Sequence, residues 1–229
     1  MFLNGYGPLL LAGTWVTIQL AILSLLVAIG LGLLGAWAKL SEAWGARVLA
    51  TAYTTLIRGV PDLVLMLLIF FSLQIYLNDV TDLLGADPID IDPFGAGVLT
   101  LGFIYGAYFA ETFRGAFMAV PHGQLEAATA YGMREFQVFR RVLFPQMMRH
   151  ALPGIGNNWQ VLLKSTALVS LIGLTDLVKV AQDAGNVTFR VFLFISITGL
   201  IYLLLTTISN GVLFWLYKRY NVGVREALL

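Results

Sequence analysis

The chain has 229 residues, 59% hydrophobic and 12% charged, with a formal net charge of +1 and a mean hydropathy of +0.82. A soluble domain carries about 25% charged residues, so water could not solvate this surface, and lipid is the alternative solvent. The charge balance gives no footing for nucleic acid, and the absence of cysteine excludes disulfides, thiol catalysis and cysteine metal sites.

A spanning helix needs about 20 mostly apolar residues. Five segments meet that length, roughly 9–37, 51–78, 95–119, 152–173 and 191–217. All are read as helices, because an open strand would strand its backbone groups in lipid and no barrel alternation is present. The expected fold is an all-α integral membrane protein of five transmembrane helices. The opening run MFLNGYGPLLLAG has no Lys or Arg before its apolar stretch, unlike a secretory signal peptide. In the first span Ala28, Gly32 and Ala36 recur every four residues, and Gly102 and Gly106 do so in the third. Such spacing lets helix backbones approach closely in lipid, and these positions are read as packing. Between spans two and three, Asp79, Asp82, Asp87, Asp90 and Asp92 form a link without basic residues. It reads either as a solvated loop with Asp-Pro turns or as a negative rim that attracts cations.

Basic residues set the expected orientation. Lys39 and Arg47 fall in link 38–50; Arg134, Arg140, Arg141 and Arg149 in link 120–151; and Lys218, Arg219 and Arg225 in the tail. The opposite links hold only Lys179 and Arg190. The basic side is predicted to be cytoplasmic, which puts the N-terminus in the periplasm and the C-terminus in the cytoplasm.

Arg58, Glu111 and Lys164 fall inside spans, as does Arg114, which is shallow enough to snorkel. By helical rise, Arg58 lies roughly 10 Å and Glu111 roughly 12 Å from the inner surface, and Lys164 about 18 Å into span four. Charge at such depth is expensive and needs a partner or a polar path. Arg58 and Glu111 could form a structural ion pair. Alternatively they could read a zwitterion, Arg58 on the carboxylate and Glu111 on an ammonium. Tyr105, Tyr108, Glu111, Thr112 and Gly115 share one face of span three; Asn157, Val161, Lys164 and Leu168 share one face of span four, with Asn158 and Ser165 beside it.

Catalytic patterns are missing. No Gly-x-x-x-x-Gly-Lys-Ser/Thr, His-Glu-x-x-His or Gly-x-Ser-x-Gly occurs. No catalytic residue, metal site or cofactor is predicted, and any ATPase must be a separate chain. The two histidines, His122 and His150, read as polar surface groups. A proton-coupled secondary transporter using Glu111 stays open as an alternative, although five spans are few for one.

The link after span three carries the most specific pattern. HGQLEAATAYGMREFQVFRRVLFP reads as a helix with Gln124 and Glu126 in its first turn, a break at Gly132, and a second helix ending at Pro145. Glu126-Ala127-Ala128, Gly132 and Val142-Leu143-Phe144-Pro145 resemble the EAA loop of bacterial ABC importer permeases. Thr55 to Pro61 (TLIRGVP), Tyr105 to Ala116 (YGAYFAETFRGA), Leu152 to Trp159 (LPGIGNNW), Lys164 to Leu168 (KSTAL) and Arg219 to Val224 (RYNVGV) resemble the polar amino-acid subfamily. That resemblance implies a type I importer fold. It makes residues 1–229 one permease domain, with 120–146 as a cytoplasmic loop that couples to the ATPase through Glu126, Ala127, Ala128, Gly132 and Pro145. It implies a second permease subunit, either an M-type chain or a second copy, an ATPase dimer and a periplasmic amino-acid-binding protein. The cargo implied is basic amino acids, namely histidine, arginine, lysine and ornithine, with other polar amino acids as the alternative. Arg58, Tyr108, Glu111, Thr112, Asn157, Lys164, Ser165 and Thr166 are the candidate pathway residues. The expected location is the bacterial inner membrane, multi-pass.

Overall fold

The computed structural model describes residues 3, 5–85 and 87–221. The described residues form nine α-helices, one π-helical and one 3-10 segment, and no strand. In chain order these are α1 (Gly7–Leu40), α2 (Trp44–Gly59), α3 (Asp62–Leu83), α4 (Pro93–Met118), α5 (His122–Ala130) and α6 (Glu135–Val138). The π turn Phe139–Leu143 leads into α7 (Phe144–Ser165). The 3-10 turn Thr166–Ile172, α8 (Leu177–Thr188) and α9 (Val191–Tyr220) follow. Four helices, α1, α3, α4 and α9, are long and apolar enough to cross a membrane. The run Glu135–Ile172, bent by 55° from Leu177–Thr188, supplies the fifth.

Helix α4 is the centre of the bundle and α1 its main partner. The predicted small-residue stripes make this contact. A Cβ on Gly32 would lie 2.5 Å from Phe109 Cβ, and one on Gly102 would lie 2.5 Å from Val27. The two backbones therefore meet at a distance that only glycine permits. Most of α9 is exposed, with Leu200, Leu203, Leu204 and Ile208 on its surface. Such a helix is stable only against lipid or another membrane protein.

The structure corrects span two. The chain does not run helically through 51–78; it breaks at Val60-Pro61. Proline forces the preceding residue out of the helical region, and Val60 is extended at φ −115°, ψ 139°. The spanning helix is α3, and α2 is a separate helix ending at Arg58 and Gly59. Lys39, assigned to a link from sequence, lies in the last turn of α1. Arg225 lies outside the described residues, as does the end of the Arg219 to Val224 stretch.

Helix α8 has no counterpart among the five predicted spans. Its N-cap, Asp176, accepts from Lys179 N at 2.9 Å, the ordinary way to satisfy a first-turn donor. Leu177, Val180, Ala181 and Ala184 are buried toward α1 and α9. Gly13 of α1 allows the approach: a Cβ there would sit 3.0 Å from the backbone of Leu177.

Candidate functional site

Four elements bring polar groups together inside the bundle. Tyr105, on α4 and 1% exposed, donates its hydroxyl to Asp62 Oδ2 at 2.7 Å. A second 2.7 Å bond joins the same hydroxyl to Ser165 Oγ. A phenol has one proton to give, so the chain of donation runs from Ser165 to Tyr105 to Asp62. Tyr108, one turn further along α4, stacks on Tyr105 with centroids 5.6 Å apart. The Arg58 guanidinium lies over the Tyr108 ring, 5.5 Å from its centroid, within cation–π range. The Gly59-Val60-Pro61 break makes this assembly possible, because it ends α2 at Arg58 and starts α3 at Asp62. Among the described residues, no cation pairs with the Asp62 carboxylate.

Next to this network, Asn157, Val161 and Lys164 are exposed along one face of α7, as their spacing predicts. Lys164 pairs with no carboxylate among the described residues. Ser165 closes the helix and joins the network, whereas Thr166 turns the other way. It is fully buried and bonds to Leu163 O at 2.7 Å and to the Tyr202 hydroxyl at 3.1 Å.

The expected Arg58–Glu111 pair does not form. Glu111 instead accepts from Lys39 Nζ through Oε1 and from Arg114 Nε through Oε2, the latter at 3.0 Å. Lys39 Nζ also donates to Thr54 Oγ1 at 2.6 Å. The physical reason is again the break at Pro61: it puts Arg58 on Tyr108, one turn before Glu111, and leaves Glu111 facing the end of α1. The side chain of Lys39 is 9% exposed and that of Glu111 19%, against 36% for Arg114. Glu111 thus ties α1 to α4, and both its oxygens are occupied. Arg114, read as a snorkelling group, also reaches the Met118 sulfur at 3.1 Å.

Thr112 belongs to the α4–α7 crossing. Its hydroxyl accepts from Asn158 Nδ2 at 3.0 Å and donates to Tyr108 O at 3.1 Å. Gly154 lets the helices touch there, since a Cβ would lie 2.6 Å from Thr112 Cγ2.

The patterned link forms two short helices around Gly132, whose φ of +80° suits glycine alone at low cost. Glu126 and Ala127 are exposed, whereas Ala128 is 5% exposed and faces inward. Tyr131 and Phe136 stand in solvent at 88% and 71% exposure. Two expectations change. Glu126 is the fifth residue of α5 and lies beyond its first turn. Pro145 does not end the second helix, which passes through the π turn and continues as α7.

Sequence reasoning missed Asp62, Asn158 as the partner of Thr112, and Lys39 as the partner of Glu111. Asp62 carried a signal, an acid directly after a Gly-x-Pro break inside an apolar run. Lys39 carried none, because its role depends on where α1 crosses α4.

The comparisons with known proteins agree with this architecture. The model of the binding-protein-dependent transport system inner membrane component matches residues 28–222. The histidine/lysine/arginine/ornithine transport system permease protein HisQ of Salmonella typhimurium is 62% identical over 225 residues, covering 98% of this chain and 99% of that one. The octopine transport system permease protein OccQ of Rhizobium meliloti is 39% identical, over 98% of this chain and 95% of its own. Among solved structures, an amino acid ABC transporter crystallised with histidines superposes with a TM-score of 0.77 at 34% identity, over 93% of this chain and 95% of that one. The helical bundle, the exposed patterned loop and these matches agree: the chain belongs to the inner membrane component family of binding-protein-dependent transport systems, as a multi-pass inner-membrane permease of an ABC importer whose ATPase is a separate subunit.

Proposed function

We propose that this chain is the permease subunit for basic amino acids: histidine, lysine, arginine and ornithine. The observation that carries the reading is Asp62, a half-buried carboxylate in the first turn of α3 that accepts from a tyrosine hydroxyl and pairs with no cation among the described residues. An ionised group without a counter-ion in a membrane bundle marks a place for a cationic ligand. A basic amino acid presents a cation for Asp62 and a carboxylate for Arg58 or the exposed Lys164. Tyr108 lies under Arg58, Asn157 shares the exposed α7 face of Lys164, and Ser165 holds Tyr105 in place. Glu111, Thr112 and Thr166 have their bonds filled by protein, and we assign them to structure. The 62% identity to a permease named for these four amino acids supports the same cargo.

In this reading residues 1–229 form one permease domain with a periplasmic N-terminus and a cytoplasmic C-terminus, supported by the excess of Arg in link 120–151. The partner permease is an M-type chain or a second copy. A periplasmic binding protein delivers cargo, and an ATPase dimer docks on residues 120–146, where Glu126, Ala127 and Gly132 are exposed.

The test is Asp62→Asn in the assembled transporter. Loss of one charge-assisted bond is worth about 1.5–3 kcal/mol, so arginine uptake should fall by roughly 10- to 150-fold. Membrane abundance and ATPase copurification should not change. Uptake at the wild-type rate would refute the assignment.

A further inference from the structure

The helix that carries Asn158, Lys164 and Ser165 begins before α7. Residues Glu135–Ser165 form one helical run, widened at the π turn Phe139–Leu143 and carrying a second proline, Pro153, within α7. The cause is legible in the sequence. Pro145 has no N–H to return to the Arg141 carbonyl one turn back, and its ring crowds that oxygen. The chain widens, and Phe144 N donates five residues back to Phe139 O. Single wide turns of this kind concentrate at functional places in helices.

Packing differs along the chain. Before the helical run, α5 packs Leu125 against the core cluster and buries Ala128, and Leu143 at the end of the π turn packs there too. Further on, Asn158 and Gly154 fix α7 to Thr112 of α4. From Pro145 to Ser165 the helix is about 30 Å long, so a rotation at one end reaches the polar network at the other. The turn that Pro145 deprives of a main-chain bond lies between α5 and the α4–α7 crossing, and its first four residues, Phe139 to Val142, stay outside the buried core.

We propose that Pro145 is a positioning residue: it holds the Phe139–Leu143 turn open as a joint, through which the α5–α6 unit moves relative to α7 and its pathway face. This rests on the reading that residues 120–146 dock on the ATPase. The ring contacts no cargo and need not contact the ATPase; it acts by denying the helix one hydrogen bond.

The experiment compares Pro145→Ala with Pro145→Gly in the complete transporter reconstituted in liposomes. Both supply the missing N–H. Alanine favours a closed α-turn, whereas glycine keeps the backbone loose. ATPase copurification, ATP hydrolysis and labelled arginine uptake are measured together. With Pro145→Ala, copurification should be normal, hydrolysis should stay within about twofold, and uptake per ATP should drop about tenfold; Pro145→Gly should retain more than about half of wild-type uptake per ATP. Equal behaviour of the two variants, whether intact or impaired, overturns the joint, as does loss of ATPase copurification with Pro145→Ala. Docking is tested separately. The chain has no cysteine, so Ala127→Cys gives a single crosslinking point. Its failure to crosslink to the ATPase removes the docking reading and the joint with it, whereas a crosslink with equal variants removes the joint alone.

Discussion

Replacing Glu111 by Gln tests whether this residue is a strut or a cargo contact. The amide still offers one oxygen, but it carries no charge, so Lys39 and Arg114 lose their common counter-ion. Breaking a buried pair from one side costs about 3–5 kcal/mol. The Lys39 half of the cluster qualifies, with side chains 9% and 19% exposed. The Arg114 half, 36% exposed on the Arg side, adds little, as for partly solvated pairs worth about 0–1 kcal/mol. A loss near 3 kcal/mol corresponds to a melting decrease of roughly 6–12 °C for a chain of this size. Detergent-solubilised complex is heated, and the soluble fraction is followed by size-exclusion chromatography. Adding Lys39→Met should recover most of the loss, because it removes the stranded charge, whereas Arg58→Met should recover none. Rescue by Arg58→Met in place of Lys39→Met would refute the ion cluster. An undiminished melting point in the single variant, with arginine uptake abolished, would return Glu111 to the cargo path.

The other predictions concern packing, conformation and the acidic link. Gly32→Val would drive a side chain into Phe109, where even a Cβ meets Phe109 Cβ at 2.5 Å; overpacking of this kind costs about 1–3 kcal/mol, visible as lower membrane abundance and earlier melting. Gly132→Ala must adopt φ +80°, at a cost of about 1–2 kcal/mol. It should loosen α5 from α6 and lower ATPase copurification, while insertion into the membrane is unaffected. Asp79, Asp82, Asp87, Asp90 and Asp92 should separate into two classes. Asp92 accepts from Gly95 N at 2.7 Å and caps α4, so Asp92→Ala should destabilise by about 1 kcal/mol in any salt. Changing Asp79, Asp82, Asp87 and Asp90 together to Asn should leave melting unchanged. If they form an attracting rim, uptake should slow most at low ionic strength, since the Debye length shrinks to about 8 Å at physiological salt; equal rates at low salt would make them plain solvated carboxylates, two in the end of α3 and two in the loop beyond it.

The sequence alone determined that the chain is a helical membrane protein, because hydrophobic length and the scarcity of charge are one-dimensional properties. Spans one, three and five are α1, α4 and α9, and the small-residue spacing of Ala28, Gly32, Ala36, Gly102 and Gly106 marked close-packed faces, since helical periodicity reports which residues share a face, while the structure pairs those faces with each other. The patterned loop was legible for the same reason: its alanines, glycine and proline each carry a local conformational preference. What the sequence left undecided was which partner each buried polar group takes. Arg58 and Glu111 are at similar depth by simple rise, yet the Val60-Pro61 break turns one toward Tyr108, and the crossing of α1 over α4 delivers Lys39 to the other. Asp62, Tyr105 and Ser165 meet from three separate helices, and α8 lies close on α1 because Gly13 leaves room for its first turn. Such pairings depend on crossing angles and on the path of the chain between helices, and these are fixed only when the whole bundle packs.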